Sequence, residues 1–377
     1  MGKGKFFRKI FKSKLLILVL SLVILESVGK TFLFYYQAWV SYGQNRKYYR
    51  FDGSFLKYIE AYKAFNRDYK TENKVIVNDI FNRHFYVPNR KLKFGESGIN
   101  TNSLGMKGEE ISVLKDARTF RIICLGCSTV LCGSEGNSFP ELLEKYLREL
   151  YPHKKFEVIN AAISGQTTLG AFMNMSLNWK ELKPDMLIIN SVFEEVTNSV
   201  APYYFKSYLK NDRDTAIWDD FKEKISRKSG IVGLCRKLFF KPSKRLTQGT
   251  QEGLDYYAAI LEALVLLGKG MESKVVLVSS GIAVDESNNF EKDNPKRRWL
   301  EAHFPQFTGE AILQIISDLN LTMQEVAAKQ KVKFVDMSAA VPKDQEHFLD
   351  GAHRTDKGNA VFAKMLLESL VADKLLE

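Results

Sequence analysis

Residues 121–129 read RIICLGCST, and this segment is the strongest indication of the fold class. Its first part, Arg121–Gly126, is a short apolar run that ends at a glycine, as in a strand buried on both faces. Similar short runs follow it along the chain, and they alternate with longer segments whose apolar residues recur at helical spacing. This alternation predicts a parallel sheet with crossover helices.

The other predicted strands and helices continue this pattern to the end of the chain. The strands are residues 156–160 (FEVIN), 186–190 (MLIIN), 274–279 (KVVLVS) and 332–336 (VKFVD), and the helices are residues 139–150, 168–182, 256–267, 310–329 and 355–370. Five strands with helices between them predict an α/β fold, a three-layer α/β/α sandwich with a mainly parallel sheet. Ligands of such sheets bind beyond the carboxyl ends of the strands, so the strand-to-helix loops are where a site is expected.

Composition excludes a disordered chain but leaves several partner classes open. Hydrophobic residues make up 45% of the 377 residues and charged residues 26%, enough for a sizeable core. The net charge of +11 is compatible with nucleic acid, a membrane surface or an acidic polymer as partner. No nucleic-acid-binding motif is present in the sequence, so no nucleic-acid partner is predicted.

The N-terminal segment has the pattern of a membrane anchor. Six of the first fourteen residues are basic, and the uncharged run Leu15–Leu25 (LLILVLSLVIL) follows them. Extended through residue 40, the segment reaches the roughly 20 residues that a spanning helix needs. No A-x-A-like site follows the apolar run, so an uncleaved signal anchor is favoured over a cleaved signal peptide. The basic flank predicts a single-pass protein with its N-terminus in the cytoplasm and its main domain periplasmic or extracellular.

The chain therefore divides into four predicted parts. They are a basic cytoplasmic tail (1–14), a transmembrane signal anchor (15–40), a juxtamembrane connector with lead-in loops (41–118) and an α/β domain (119–377). Within the last part, residues 198–250 are basic and aromatic and lack a strand pattern. They are interpreted as an insertion, either a lid or contact surface or a solvated helical excursion.

Ser128 is the first candidate for chemistry. It follows the first strand in a glycine-containing turn, where the start of the next helix stabilises negative charge. A serine that only caps this helix is the structural alternative. At the end of the second strand, Gly165 allows a ligand to approach the backbone and leaves its N–H free to donate, although an ordinary loop glycine has the same pattern.

Asp350 and His353 form a D-x-x-H between the fifth strand and the last helix. A histidine base needs an acceptor on its other ring nitrogen, and an aspartate three residues away provides one. These two residues are therefore the candidate base and its orienting acid.

The cysteines suggest a second kind of chemistry. Cys124 and Cys127 form a C-x-x-C, the spacing of a redox pair. The pair spans a strand end instead of opening a helix, so structural roles in the core and the turn are favoured. A single pair is also too little for a zinc site.

The ordered set of motifs resembles the SGNH branch of the GDSL-like hydrolases. Ser128 matches the nucleophile block, Gly165 the glycine block, and Asp350 with His353 the final block. The segment Ile99–Gly108 is similar to the N-S-L-G-x-[RK]-G element that precedes the nucleophile strand in many membrane-anchored members. The resemblance covers roughly residues 80–373 without 198–250. It implies a flavodoxin-like sandwich, no metal or cofactor, and ester hydrolysis or acyl transfer, often of O-acetyl groups on carbohydrate.

One block departs from the family pattern. The family has G-x-N-D after the third strand, and its asparagine donates a hydrogen bond to the oxyanion. Here Val192 aligns with the glycine and Glu194 with the asparagine. An ionised glutamate cannot donate, so either Glu194 is protonated by burial or Asn190 or Asn198 takes its place.

Two functions remain open at this point. The first is an esterase or acyltransferase that acts on an acylated glycan or a small ester, with Ser128 and Gly165 as oxyanion donors. The second is a catalytically impaired protein that serves as a membrane-tethered glycan-binding or assembly component. Glu194 is the residue that motivates the second function.

Overall fold

The five strands expected in the α/β domain are present, and they lie in one sheet. The protein is represented by a computed structural model that describes residues 76–78, 84–86, 88–89, 91–94, 97–200, 245–284 and 294–377. In these ranges the strands are β1 (Ile76–Asn78), β2 (His84–Tyr86), β3 (Lys91–Phe94), β4 (Ser97–Asn100), β5 (Thr119–Gly126), β6 (Lys155–Asn160), β7 (Met186–Asn190), β8 (Lys274–Val278) and β9 (Lys333–Val335).

Helices connect these strands as the alternating pattern predicts. In the same ranges the α-helices are α1 (Ser128–Leu131), α2 (Phe139–Leu150), α3 (Thr168–Asn174), α4 (Gln251–Gly270), α5 (Pro295–His303), α6 (Gly309–Gln330) and α7 (Asp356–Ala372). A π-helical turn, Met175–Trp179, and 3-10 turns, Lys180–Leu182 and Phe193–Val200, complete the helical structure.

The central sheet has the strand order β6-β5-β7-β8-β9, and every neighbouring pair is parallel. Cys124 of β5 lies opposite Asn160 of β6 and Ile188 of β7. The chain therefore leaves β5 toward one side and later returns to the other, which makes the carboxyl end of β5 the switch point of the sheet. Ligands of open α/β sheets bind at such a point.

The core explains why the strands read as continuous apolar runs. Residues 122–125 of β5 and residues 186–189 of β7 are all fully buried. On one side α2 packs against α7, and on the other α4 packs against α3 and α6, so neither face of these strands meets water. The predicted α/β fold with a five-stranded parallel sheet is confirmed.

Local signals account for the boundaries of α2. Ser138 and Glu141 form a capping box, in which the Glu141 carboxylate accepts the Ser138 backbone N–H at 2.9 Å. Pro140 occupies the first turn, where its missing N–H costs nothing. The buried leucines 142, 143 and 147 then point one face of the helix into the core.

One helical prediction needs correction, and one helix has no counterpart among the predictions. The helix expected over residues 168–182 ends at Asn174 and continues as the π-helical and 3-10 turns. No proline or glycine between Asn174 and Leu182 marks this change. The helix α5 was not predicted at all, although it packs beside the site described below.

The connector (41–118) was expected to consist of loops, but it contains four short strands. β1 pairs with β2 and β3 pairs with β4, both antiparallel. Strands of three or four residues contain too few alternations to produce a recognisable period. The loop prediction is therefore wrong for these short hairpins.

Several predictions fall on other parts of the chain. The tail (1–14), the signal anchor (15–40) and most of the predicted insertion lie outside the described residues. Within the described residues, no helix combines the length and apolar character needed to cross a membrane.

Candidate active site

The candidate nucleophile lies at the switch point of the sheet. β5 ends at Gly126, Cys127 precedes α1 in extended conformation, and Ser128 is the first residue of α1. Cys127 is fully buried, whereas Ser128 is partly exposed. The strand-turn-helix connection therefore presents the Ser128 hydroxyl at the carboxyl edge of the sheet.

His353, which lies far from Ser128 along the sequence in the loop before α7, contacts this hydroxyl. Its Nε2 atom lies 2.9 Å from Ser128 Oγ, and its Nδ1 atom lies 2.8 Å from Asp350 Oδ2. Because an ionised carboxylate only accepts, Nδ1 of a neutral imidazole carries the proton and Nε2 is left to accept from the serine. The structure thus joins Ser128, His353 and Asp350 in one line of hydrogen bonds.

The surroundings of Asp350 keep it ionised. Its Oδ1 atom accepts the backbone N–H groups of Ala352 at 2.9 Å and His353 at 2.8 Å. Burial acts to raise the pKa of Asp350, but the hydrogen bonds that it accepts from His353 and Ala352 outweigh this effect, so the pKa lies below its ordinary value. The turn that holds the aspartate therefore also orients the imidazole.

Gly165 lies in the loop after β6 with φ of +74°, a conformation that favours glycine. The loop is tied to the end of β5, because Ile163 N and Gln166 Nε2 both donate to the Gly126 carbonyl, at 3.2 and 3.3 Å. Among the described residues, the backbone N–H groups of Ser128 and Gly165 donate to no protein acceptor. Both amides are therefore available to a ligand.

Tyr86 holds the Gly165 loop through a hydrogen bond. Its hydroxyl is buried and accepts the backbone N–H of Ser164 at 2.9 Å. Burial raises the pKa of Tyr86 well above its ordinary value, so it remains a neutral phenol. A Cβ at Gly105 would lie 2.4 Å from the Tyr86 carbonyl oxygen, so this glycine permits close backbone contact. The N-S-L-G-M-K-G element thus contributes to the site through Tyr86.

Replacing Tyr86 with phenylalanine is expected to lower kcat for ester hydrolysis roughly tenfold. This is less than the ~10²–10³ that loss of an oxyanion donor costs, because the loop is loosened and not removed. The unpaired Ser164 N–H is also expected to lower the free energy of unfolding by about 1–3 kcal/mol. Turnover of p-nitrophenyl acetate and denaturant unfolding measure the two effects.

Tyr257 offers a matched control for this substitution. It is equally buried, but its hydroxyl has no hydrogen-bond partner in the described part of the chain. Tyr257→Phe should therefore leave kcat unchanged and should not lower the free energy of unfolding. Equal losses in the two variants would contradict a specific role for Tyr86.

α5 places an aromatic cluster beside His353, and this cluster was missed in the sequence. The Trp299 ring lies edge-on to the His353 imidazole with centroids 5.4 Å apart, and it stacks on His303 at 5.1 Å. Phe193 and Phe304 pack against the same histidine. The helix start was readable, because Asn294 caps it and proline follows, but nothing in the sequence placed it near the last loop.

Comparison with known proteins bears on the same residues. The family described as GDSL-like Lipase/Acylhydrolase matches residues 122–366 of this chain. The chain belongs to the GDSL-like lipase/acylhydrolase family. The matched range contains Ser128, Gly165, Asp350 and His353. No curated protein sequence matches the chain significantly.

The chain is also similar to several solved structures. A mutant of Axe2, an acetyl-xylooligosaccharide esterase from Geobacillus stearothermophilus, is 17% identical with a TM-score of 0.42, covering 66% of this chain and 93% of its own. A GDSL-like lipase from Bacteroides thetaiotaomicron is 15% identical with a TM-score of 0.37, covering 67% and 89%. An alpha/beta hydrolase enzyme from the metagenome of Lake Arreo, Spain, is 15% identical with a TM-score of 0.40, covering 66% and 94%.

Glu194, the residue aligned with the asparagine of GDSL-like hydrolases, lies near the nucleophile turn. Burial raises the pKa of the Cys127 thiol to about 12, and the negative charge of Glu194 adds to this increase. The Glu194 side chain is 13% exposed, and its Oε1 atom lies 3.9 Å from His303 Nε2. The alignment of Glu194 with the family asparagine stays a prediction.

The two asparagines considered as substitutes are engaged elsewhere. Asn190 Nδ2 donates to the carbonyls of Val278 and Ser279 at 2.9 and 3.0 Å. Asn198 Nδ2 donates to Glu195 at 3.0 Å. Both N–H groups of Asn190 are therefore used and Asn198 is held against Glu195, so these contacts do not support either residue as the replacement for the family asparagine.

Glu195, which the predicted alignment places at the acidic position of the G-x-N-D block, has a structural partner. Its carboxylate is buried and accepts the backbone N–H of Thr168, the first residue of α3, at 2.5 Å. Burial raises the pKa of Glu195 above its ordinary value. The residue stabilises the start of α3 and so the end of the Gly165 loop.

The cysteines do not form a redox site. Cys124 and Cys127 are fully buried free thiols, and burial raises the pKa of both. A thiol reacts through its thiolate, which these surroundings disfavour. The structural interpretation of both residues is therefore preferred.

The site as a whole contains the parts that acyl transfer requires. It has a hydroxyl, a base bonded to it, a carboxylate that orients the base and two free backbone donors nearby. Together with membership of the GDSL-like family, this arrangement supports an ester hydrolase.

Proposed function

We propose that the protein is an extracytoplasmic serine esterase or acyltransferase that removes or moves O-acyl groups, such as O-acetyl, on a glycan or similar ester. The observation that carries this proposal is the line of hydrogen bonds from Ser128 through His353 to Asp350. In such a line the imidazole is ready to take the serine proton while the carboxylate stabilises the imidazolium.

The proposed reaction begins with attack of Ser128 Oγ on the ester carbonyl carbon while His353 Nε2 takes the hydroxyl proton. The carbonyl oxygen becomes an oxyanion that accepts from the N–H groups of Ser128 and Gly165. Collapse of this intermediate breaks the ester C–O bond, and His353 protonates the departing alkoxide. An acyl-serine and a free alcohol result.

The second half returns the enzyme to its starting state. Water, or a sugar hydroxyl in a transferase, attacks the acyl-serine while His353 takes its proton. The new intermediate expels Ser128, which recovers its proton from the imidazolium. Hydrolysis releases a carboxylic acid, and transfer releases a new ester, with the same protein residues in both cases.

The location in this proposal depends on the N-terminal sequence. The basic residues before Leu15–Leu25 favour an anchor over residues 15–40, with the catalytic domain outside the cytoplasm. The substrate class depends on the resemblance to GDSL-like hydrolases. The rings of Trp299 and His303 add a surface beside His353 on which a sugar ring can pack.

A fluorophosphonate probe tests the chemistry directly. The full-length protein in detergent is expected to be labelled at Ser128, as located by peptide mass spectrometry, because the probe reacts with base-activated serines. Ser128→Ala should remove the label. Failure of the folded wild-type protein to react would overturn the proposal.

Glu194 favours a second candidate function. A carboxylate beside the oxyanion would repel it, so the fold can serve as a membrane-tethered glycan-binding or assembly component without catalysis. Such a protein would bind an acylated oligosaccharide, measured by calorimetry, and release no acid from it. An esterase would release acid in the same experiment.

A further inference from the structure

The helix that carries Ser128, α1, consists of little more than one turn. α1 has four residues and so cannot be stable by itself. Side chains from distant segments donate to its carbonyl groups. Arg354 donates to the Thr129 carbonyl at 2.6 Å, Asn160 to that of Val130 at 3.4 Å and Lys107 to that of Leu131 at 3.2 Å. Just after the helix, Asn359 donates to the Cys132 carbonyl at 2.9 Å. The surroundings therefore hold α1 in place.

Arg354 differs from the other three partners, because it is a buried cation without a counterion. It is 2% exposed, and no carboxylate lies within ion-pair distance of it in the described residues. Its Nε donates to Asn359 Oδ1 at 3.0 Å, and its guanidinium lies 4.1 Å from the centre of the Phe362 ring. Burial of an unpaired charge is costly, because no attraction to a counterion offsets the loss of hydration. Stability is thus a poor explanation for an arginine here.

The position of Arg354 along the chain suggests a different explanation. Arg354 directly follows His353, and Thr129 directly follows Ser128. The bond from Arg354 Nη2 to the Thr129 carbonyl therefore joins the same two segments as the bond from His353 Nε2 to Ser128 Oγ. One bond belongs to the reacting groups, and the other fixes the backbone beside them.

We propose that Arg354 is a positioning residue, which holds the backbone of Ser128 and that of His353 at the distance their hydrogen bond requires. This inference rests on the proposed function for its catalytic consequence. Reacting groups displaced by about 1 Å lose on the order of 10²-fold in rate. Loss of the tether should therefore reduce kcat far more than it affects KM.

The test compares Arg354→Met with Arg354→Lys in the full-length protein. Methionine fills much of the same apolar space without donors, and we expect a fall of about 10²-fold in kcat for p-nitrophenyl acetate with KM changed less than threefold. Lysine keeps one charged donor and should restore a measurable part of kcat. Labelling of Ser128 by the fluorophosphonate should slow in the same order.

Arg121 provides a matched control. It too is a buried arginine that donates to backbone carbonyls, here those of Leu182 and Ser112, but it lies at the opposite end of β5 from Ser128. Arg121→Met removes an ion pair with Glu157 and should destabilise the protein while leaving kcat per folded molecule unchanged. Unfolding midpoints and active-site titration separate the two effects.

The outcomes distinguish this inference from the proposed function. Equal kcat and equal labelling in Arg354→Met and the wild type would overturn the role of Arg354. If the wild type itself does not react, the proposed function fails. In that case hydrogen exchange still tests the tether: faster exchange at amides 128–132 in Arg354→Met, but not in Arg121→Met, would support it. If Arg354→Met does not fold, Arg354→Lys decides, because it keeps the charge but loses the guanidinium geometry that binds the Thr129 carbonyl. An unchanged kcat in that variant would also overturn the inference.

Discussion

Replacing Ser128 with alanine is expected to lower kcat for ester hydrolysis by on the order of 10⁴-fold or more. The hydroxyl that His353 accepts from is then absent, and no other described hydroxyl is bonded to this imidazole. His353→Ala should have a similar effect, because without the base the serine stays protonated. Turnover of p-nitrophenyl acetate by purified full-length protein measures both losses.

The double variant sharpens this prediction. Residues that act as one unit have strongly non-additive effects, so Ser128→Ala with His353→Ala should be no slower than either single variant. Ser176→Ala is a suitable control, since this hydroxyl only donates to the Met173 carbonyl in α3. Losses that multiply in the double variant would show that the two residues act independently.

Replacing Glu194 with asparagine is expected to raise kcat by up to about 10²–10³-fold. On the predicted alignment of Glu194 with the family asparagine, the change removes a negative charge from the oxyanion site and adds a donor of the kind whose loss costs that factor. Glu194→Ala separates the two contributions, because it removes the charge without adding a donor. We therefore expect the order asparagine, alanine, glutamate in kcat, measured with the same ester.

The same variants distinguish the candidate functions. A handicapped esterase gains activity on Glu194→Asn, whereas a binding protein that has lost catalysis stays inert. A decrease in kcat would instead indicate that Glu194 and the nearby His303 take part in the reaction as a pair. In that case His303→Phe should reduce kcat as well.

The fold was largely predictable because burial leaves a strong pattern. β5 and β7 are covered on both faces, so they read as uninterrupted apolar runs, and α2 is marked by its capping box. The short strands β1 to β4 leave no comparable pattern. The end of α3 at Asn174 was missed because a π-helical turn needs no special residue type.

The candidate site was predictable only as far as its residues follow strands in sequence. Ser128, Gly165 and the pair Asp350 and His353 each stand after a strand, and parallel strands bring those ends together. Trp299, Tyr86 and Arg354 lie near the site through packing between distant segments. The hydrophobic pattern of one sequence gives no information about contacts between distant segments, so only the structure identifies these residues.

The origin of the α1 partners also has a consequence for synthesis of the protein. β9, the last strand of the sheet, ends at Val335, but His353, Arg354 and Asn359 are all made after it. A nascent chain released only as far as residue 340 therefore contains the five strands of the central sheet and the serine, yet lacks the base and two of the groups that hold α1. We expect the chain to become reactive toward esters only after the segment that carries His353, Arg354 and Asn359 has been synthesised and has packed against α1.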